Sequence, residues 1–126
     1  MLDNYTIETE EFISAYEQAT EQEKVTTNIS KMIQWINSKD YELIYNKLDE
    51  TFKQNNFSDL NTFETYMQAN FFSFNNMEVQ SIEKIEDNYV CEVTLSSGYG
   101  LASEQVTKTF IIQLKEATDF VMSFNV

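Results

Sequence analysis

The sequence contains no histidine, no arginine and no proline, and it has one cysteine, Cys91. Without histidine and with one thiol, the chain cannot assemble the usual zinc, haem or iron–sulfur ligand sets. It also cannot form a Ser-His-Asp or Cys-His catalytic system, or a disulfide within one chain. Cys91 lies in an alternating apolar run, which predicts a small buried side chain rather than a reactive thiol. We therefore expect no metal and no cofactor.

Basic side chains are few: eight lysines stand against 21 acidic residues, and the formal net charge is −13. Affinity for nucleic acid comes mainly from Lys and Arg at the phosphates, so this charge excludes nucleic acid as a partner. The same charge opposes attachment to anionic lipid, and the sequence has no run of about 18 apolar residues that would span a bilayer. We expect no direct membrane insertion.

Apolar residues, in contrast, are plentiful. They make up 42% of the 126 residues and include ten Phe and seven Tyr, which predicts one folded domain rather than disorder. The residue usage, rich in Lys and Asn without Arg or Pro, is typical of an AT-rich bacterial genome. The alternation in Leu2–Ile7 is typical of a strand tail or linker that enters a domain, which favours a piece of a larger bacterial protein. An extracytoplasmic domain of a membrane-anchored protein is favoured over a cytoplasmic one.

The first half of the chain has helical periodicity. Thr20 and Glu23 have the spacing of a capping box, and a helix is predicted from Thr20 to Asn37. Its apolar residues share one stripe that should face the core: Val25, Ile29, Met32, Ile33 and Ile36. Trp35 lies about 100° from that stripe, so it faces either a second packed element or the rim of a pocket.

Shorter helices are predicted on both sides of this long one. Upstream, Phe12, Ile13 and Tyr16 form either one short helix or the first turns of a longer helix. Downstream, Asp40 is the predicted N-cap of a short helix, and Asn61 with Glu64 is predicted to cap a third helix. The Asn-rich stretch from Lys53 to Asp59 is predicted to be a loop.

After Ser73 the period changes to two, and four strands with short connections predict an antiparallel meander. Ile82 and Ile85 are out of phase with Met77 and Val79, as a β-bulge would cause. Helices followed by strands indicate an α+β domain. Three sets of residues should face the core: Tyr89, Cys91, Val93 and Leu95; Phe110, Ile112 and Leu114; and Phe120, Met122 and Phe124.

Three segments resemble the nuclear transport factor 2-like superfamily. They are Asn37–Tyr41 at the end of the long helix, Leu48–Phe52 after a short helix, and Phe63–Phe72. The resemblance implies N-terminal helices packed in a bent, cone-shaped, four-stranded antiparallel sheet. It covers residues 20–126, and residues 1–19 are then a linker or an N-terminal helical extension.

Enzymes similar to ketosteroid isomerase place acid–base groups in the open mouth of this cone. Here the strand acids Glu78 and Glu92 are out of phase with their apolar neighbours, and Asp119 lies at a strand start. We therefore expect no enzyme activity. A non-catalytic binding or interaction module, one domain of a larger bacterial protein, is the first hypothesis. The alternative is a free-standing protein that binds a small apolar ligand in the cone. The candidate pocket wall is Trp35, Tyr45, Tyr66 and Tyr99.

The resemblance also implies a partner surface, because domains of this superfamily often dimerise through the convex face of the sheet. Glu92 lies on that face, and so does Lys108 in one of two possible registers. The partner is another protein domain or a second copy of the chain, and a monomer with an ordinary exposed sheet stays open as well. The remaining residues of the face mix β-branched and small polar types: Val90, Thr94, Thr107, Thr109, Ile111, Val121 and Ser123.

Overall fold

A computed structural model of the chain describes residues 9–98 and 103–125. In the described residues, five helices come first and four strands follow, so the predicted α+β class is confirmed. The elements are α1 (Glu10–Gln18), α2 (Glu21–Asn37), α3 (Tyr41–Tyr45), α4 (Glu50–Asn56), α5 (Leu60–Asn70), β1 (Asn76–Ile85), β2 (Asn88–Ser96), β3 (Gln105–Leu114) and β4 (Phe120–Phe124).

The first two helices are separate, and each has its own N-cap. The Thr9 hydroxyl accepts from the backbone N–H of Phe12 at the start of α1. At the start of α2 the predicted capping box is present, since Thr20 and Glu23 exchange both side-chain hydrogen bonds. Between the helices, Ala19 and Thr20 have extended backbone with ψ of 156° and 164°. Of the two arrangements predicted upstream of Thr20, the short separate helix is the one adopted.

The apolar stripe of α2 forms the centre of the core. Its five residues are at most 4% exposed, and they belong to the same buried cluster as the inward residues of the sheet. Burying a side chain of this size contributes about 1.5–3 kcal/mol. The predicted register of α2 is therefore confirmed.

Two asparagines tie the end of α2 to the start of β1. The Asn37 side-chain oxygen accepts from the backbone N–H (2.8 Å) and the side-chain amide (3.0 Å) of Asn75. In return, the Asn37 amide donates to the Asn75 carbonyl at 3.1 Å. Lys39, at φ 63°, turns the chain and donates to the Ser73 carbonyl at 3.1 Å. Part of the segment that resembles the superfamily thus has a structural function here.

Three predictions about the shorter helices are wrong or partly wrong. Asp40 precedes α3 but makes no capping hydrogen bond with its side chain. The segment predicted as a loop is largely helical, because Asp49 caps α4 by accepting from the Phe52 N–H at 3.1 Å. Asn61 does not cap α5. Asp59 is the N-cap of α5, and its carboxylate accepts from the Thr62 N–H at 2.7 Å. This hydrogen bond holds the pKa of the Asp59 carboxyl below its usual range.

The four strands form an antiparallel sheet in the order β1-β2-β3-β4, as predicted. Along β2 every second side chain is buried, which defines a core face towards the helices and an outer face on the other side. The predicted bulge is also present: the β1–β2 register shifts between Val79 and Ser81, so Gln80 is the extra residue.

The two edges of the sheet differ. At β4, the Asp49 N–H donates to the Met122 carbonyl, and the Met122 N–H donates to the Lys47 carbonyl, both at 2.8 Å. The Lys47 ammonium also contacts the Asp119 carboxylate at 2.6 Å, which lowers the pKa of Asp119. This segment covers the β4 edge. At the other edge, β1 has no strand partner among the described residues except β2.

Among the described residues, no helix has the length and apolar character that are needed to cross a membrane.

Candidate functional site

Aromatic rings fill the space between the helices and the core face of the sheet. Neighbouring ring centroids lie 5.1–6.4 Å apart, a range in which aromatic pairs attract one another. Eight rings form this aromatic cluster: Tyr45, Phe52, Phe57, Phe63, Tyr66, Phe71, Phe110 and Phe124.

Two residues of the predicted pocket wall belong to the aromatic cluster. The Tyr45 ring lies 5.5 Å from that of Phe63, and the Tyr66 ring lies 5.1 Å from that of Phe57. Both hydroxyls donate to backbone carbonyls: Tyr45 to Phe57 at 2.9 Å and Tyr66 to Asn125 at 3.5 Å. Burial raises the pKa of Tyr66, so that hydroxyl stays protonated at physiological pH. Both tyrosines serve as packing residues of the aromatic cluster.

Trp35, a third residue of the predicted wall, is not part of the aromatic cluster. Trp35 is 4% exposed, and its indole N–H has no hydrogen-bond partner. It lies on the side of α2 that also carries the buried side chains of Asn28 and Lys31, which sequence analysis did not single out. The spacing of these polar residues at 28, 31 and 35 was the available signal. Tyr99 lies outside the described residues.

The core face carries no carboxylate in the described parts of the four strands. Glu78 pairs with Thr94 and Glu92 pairs with Thr109, so both acids are on the outer face, as their phase predicted. Lys108 pairs with Val93, so it lies on the core face, and its ammonium is 4.9 Å from the centroid of the Phe71 ring. Burial lowers the pKa of Lys108.

The outer face is the largest surface of the sheet that the described helices leave uncovered. All of its side chains are half-buried or exposed, whereas those on the core face of β2 are buried. Val90 lies directly opposite Ile111, and Val121 is diagonal to Ile111 on the next strand. These three residues form what we call the outer apolar patch.

Acidic residues border the outer apolar patch on the β1 side. Glu83 pairs with Val90, and Glu78 and Glu92 lie further along the same face. Because Lys108 points the other way, the described strands place no lysine on this face. The outer face is therefore both apolar and acidic.

A groove of about 290 Å³ runs beside the outer apolar patch. It combines apolar walls with carboxylate, amide and hydroxyl groups. The groove is lined by Asp49, Asn88, Ile111, Gln113, Val121, Met122 and Ser123.

A hydrogen-bonded group ties α2 to the first hairpin. The Tyr89 hydroxyl donates to the Glu21 carboxylate at 2.6 Å, and the Lys84 ammonium contacts the same carboxylate at 3.3 Å. The bond from Tyr89, together with Lys84, holds the pKa of Glu21 below its usual range. Glu21 is therefore ionised near neutral pH and serves as an anchor rather than a proton donor.

The described residues contain no group of three or more potential metal ligands. Cys91 is fully buried, with its sulfur 3.6 Å from the Tyr89 carbonyl. Burial raises the pKa of this thiol to about 11, so it stays protonated and unreactive at physiological pH.

Comparisons with models of known protein families, with curated proteins and with solved structures found no match for this chain. The two faces of the sheet are therefore the observations from which a function can be inferred.

Proposed function

We propose that this chain is a non-catalytic interaction module of the nuclear transport factor 2-like fold, one domain of a larger bacterial protein. It binds another protein domain through the outer face of its sheet. The observation that carries the proposal is the outer apolar patch, whose residues Val90, Ile111 and Val121 are half-buried and lie on the side of the sheet opposite the core face. Exposed apolar surface rimmed by polar residues is typical of protein interaction sites.

The charge of the outer face determines the kind of partner. Glu78, Glu83 and Glu92 lie on it, and the described strands place no lysine there. A symmetric pairing of two outer faces would bring carboxylates together, and the net charge of −13 per chain adds to that repulsion. A partner with a basic and apolar surface would match both the glutamates and the apolar patch of the outer face. This favours a different protein domain over a second copy at this face.

The interior supports a surface function more than a ligand pocket. The aromatic cluster packs between the helices and the core face, and the hydroxyls of Tyr45 and Tyr66 are bonded to the backbone rather than left open to a ligand. The core face also offers no carboxylate in the described strands for acid–base chemistry. These features favour the interaction module over the alternative of a pocket protein.

The test uses a double variant, Ile111→Lys with Val121→Glu, which leaves the net charge unchanged. The matched control, Gln34→Lys with Asn46→Glu, introduces the same two residues at exposed positions outside the sheet, Gln34 in α2 and Asn46 in the turn after α3. Each immobilised chain is exposed to an extract of the source bacterium, and the captured protein is then purified and titrated. We expect micromolar binding by the unmodified chain and the control, weaker binding at high salt, and at least tenfold weaker binding by the double variant.

Equal binding by all three chains would place the interface elsewhere and overturn the proposal. The alternative has its own readout, because Trp35 is the only tryptophan. Saturable change of its fluorescence on titration with a fatty acid, at micromolar concentration and equally in the double variant, would support a pocket protein instead. Melting temperatures near that of the unmodified chain establish that both variants are folded.

A further inference from the structure

Helix α2 has a second buried side in addition to the stripe that faces the sheet. Lys24, Asn28, Lys31 and Trp35 are spaced by four, three and four residues, so they share one side of the helix. Asn28, Lys31 and Trp35 are 0%, 3% and 4% exposed. We call these four residues the second stripe. Such polar side chains are rarely buried without a specific cover.

Helix α1 provides that cover through two aromatic residues one turn apart. The Tyr16 hydroxyl accepts from the Asn28 amide at 3.2 Å, and the Lys24 ammonium lies 5.4 Å from the centroid of the Tyr16 ring. The Lys31 ammonium lies 5.1 Å from the centroid of the Phe12 ring. The contacts in this interface are thus mainly between aromatic rings and cations or amides.

The two surfaces also have opposite charge. Helix α1 carries three glutamates, Glu10, Glu11 and Glu17, and no lysine, while the second stripe carries two lysines. Two polar groups of the second stripe are buried and have no hydrogen-bond partner. They are the side-chain oxygen of Asn28 and the indole N–H of Trp35. The cover that α1 makes therefore satisfies the amide of Asn28 but not its side-chain oxygen.

The connection between the helices is short and open to change. Ala19 and Thr20 are the two extended residues between them, and residues 10–37 contain neither proline nor glycine. The capping box of Thr20 and Glu23 is the local feature that holds these two residues extended. If they became helical, α1 and α2 would be one continuous helix. In that conformation α1 could not reach the second stripe of its own chain, and it would be available to another copy.

We propose that α1 exchanges between two copies of this chain. In the monomer, α1 folds back on its own second stripe. In the dimer, residues 10–37 form one helix, and the α1 of each copy packs on the second stripe of the other. The acidic helix with Phe12 and Tyr16 is the occupant that this surface fits, and a second copy supplies the same two rings. This dimer uses a different face from the partner surface proposed above and does not depend on it.

The balance between the two forms depends on few interactions. Exchange moves the contacts of Phe12 and Tyr16 from one copy to the other, and it replaces the capping box of Thr20 and Glu23 with continuous helical hydrogen bonds. Repulsion between two chains of net charge −13 opposes the dimer. The exchanged dimer should therefore increase with protein concentration and with salt.

Two substitutions at one position separate the forms. Thr20→Ala removes the capping box but permits a continuous helix, so it should raise the dimerisation constant at least about tenfold. Thr20→Pro removes the same cap, suits the local φ of −69°, and blocks a continuous helix, so it should leave only monomer. Sedimentation at high micromolar concentration and physiological salt measures both. Adding Phe12→Ala and Tyr16→Ala to Thr20→Ala should abolish the dimer that Thr20→Ala promotes.

The proposal is overturned if Thr20→Ala stays monomeric at high micromolar concentration, or if Thr20→Ala and Thr20→Pro dimerise equally. A dimer that dissociates only on the Ile111→Lys, Val121→Glu change would assign self-association to the outer face instead. Circular dichroism and the melting temperature of each full-length variant establish that it is folded. We expect all of them to fold, because Thr20 is exposed and contributes a helix cap rather than core packing.

Discussion

The asparagine pair at the end of α2 yields a prediction whose magnitude follows from its geometry. Asn37→Ala removes three hydrogen bonds to Asn75, at 2.8, 3.0 and 3.1 Å. Asn75 is 2% exposed, so water cannot easily replace the lost partner. At about 1 kcal/mol for each bond, the free energy of unfolding should fall by about 3 kcal/mol. For a chain of 126 residues this lowers Tm by about 11 °C.

Thermal unfolding followed by circular dichroism measures this effect, and Asn70→Ala is the matched control. The Asn70 amide makes one exposed hydrogen bond, to the Tyr66 carbonyl at 2.9 Å, and alanine is a good helix former. Its Tm should change by less than about 3 °C. If Asn37→Ala lowers Tm no more than this control does, the two asparagines do not hold α2 against β1, and the explanation of this segment is wrong.

Three further predictions concern the core, the β4 edge and the thiol. Ile33→Ala should lower the free energy of unfolding by about 2–5 kcal/mol in urea titration, while Gln34→Ala, at an exposed position, should change it little. Lys47 lowers the pKa of Asp119 in the folded chain, so the ion pair between them stabilises the fold above about pH 4. Its contribution to the free energy of unfolding is at most about 1 kcal/mol, because the pair is exposed, and it disappears as the pH falls through the lowered folded-state pKa of Asp119. The difference in stability between the unmodified chain and Asp119→Asn should therefore shrink in acid, and a difference that grows would contradict the assignment. Cys91 should resist iodoacetamide at pH 8 until the chain unfolds, and labelling of the folded protein would mean that the core opens locally.

The parts of the fold that depend on local signals could be predicted from the sequence. The capping box at Thr20, the apolar stripe of α2 and the period of two in β2–β4 each depend on residues a few positions apart. The bulge in β1 was visible as a change of phase at Ile82. Helix α4 was missed although a local signal was present, because Asp49 is an N-cap that accepts from the Phe52 N–H three residues on. The hydrogen bond from the Asp49 N–H to Met122 in β4, which also holds the start of α4, is long-range and has no local signal.

The surfaces were harder to predict for the same reason. Lys108 has a core-facing position in the strand pattern, where it is half-buried, and its ammonium lies over the ring of Phe71, which is far away in the sequence. Likewise, Lys31 lies between Phe12 of α1 and Phe120 of β4, and whether α1 is a separate helix was left open by the sequence. Sequence patterns identify which residues share a side of an element, but the partner of that side is set by tertiary packing.

The extra residue Gln80 has a consequence for how this protein behaves when it is concentrated. A regular free edge strand is a template on which other chains can add strands, and this leads to aggregation. In β1 the bulge interrupts the even spacing of backbone donors and acceptors, and Glu78 and Glu83 place charge on either side of the interruption. Because the β4 edge is already covered by the segment around Asp49, both ends of the sheet are protected against growth into fibrils.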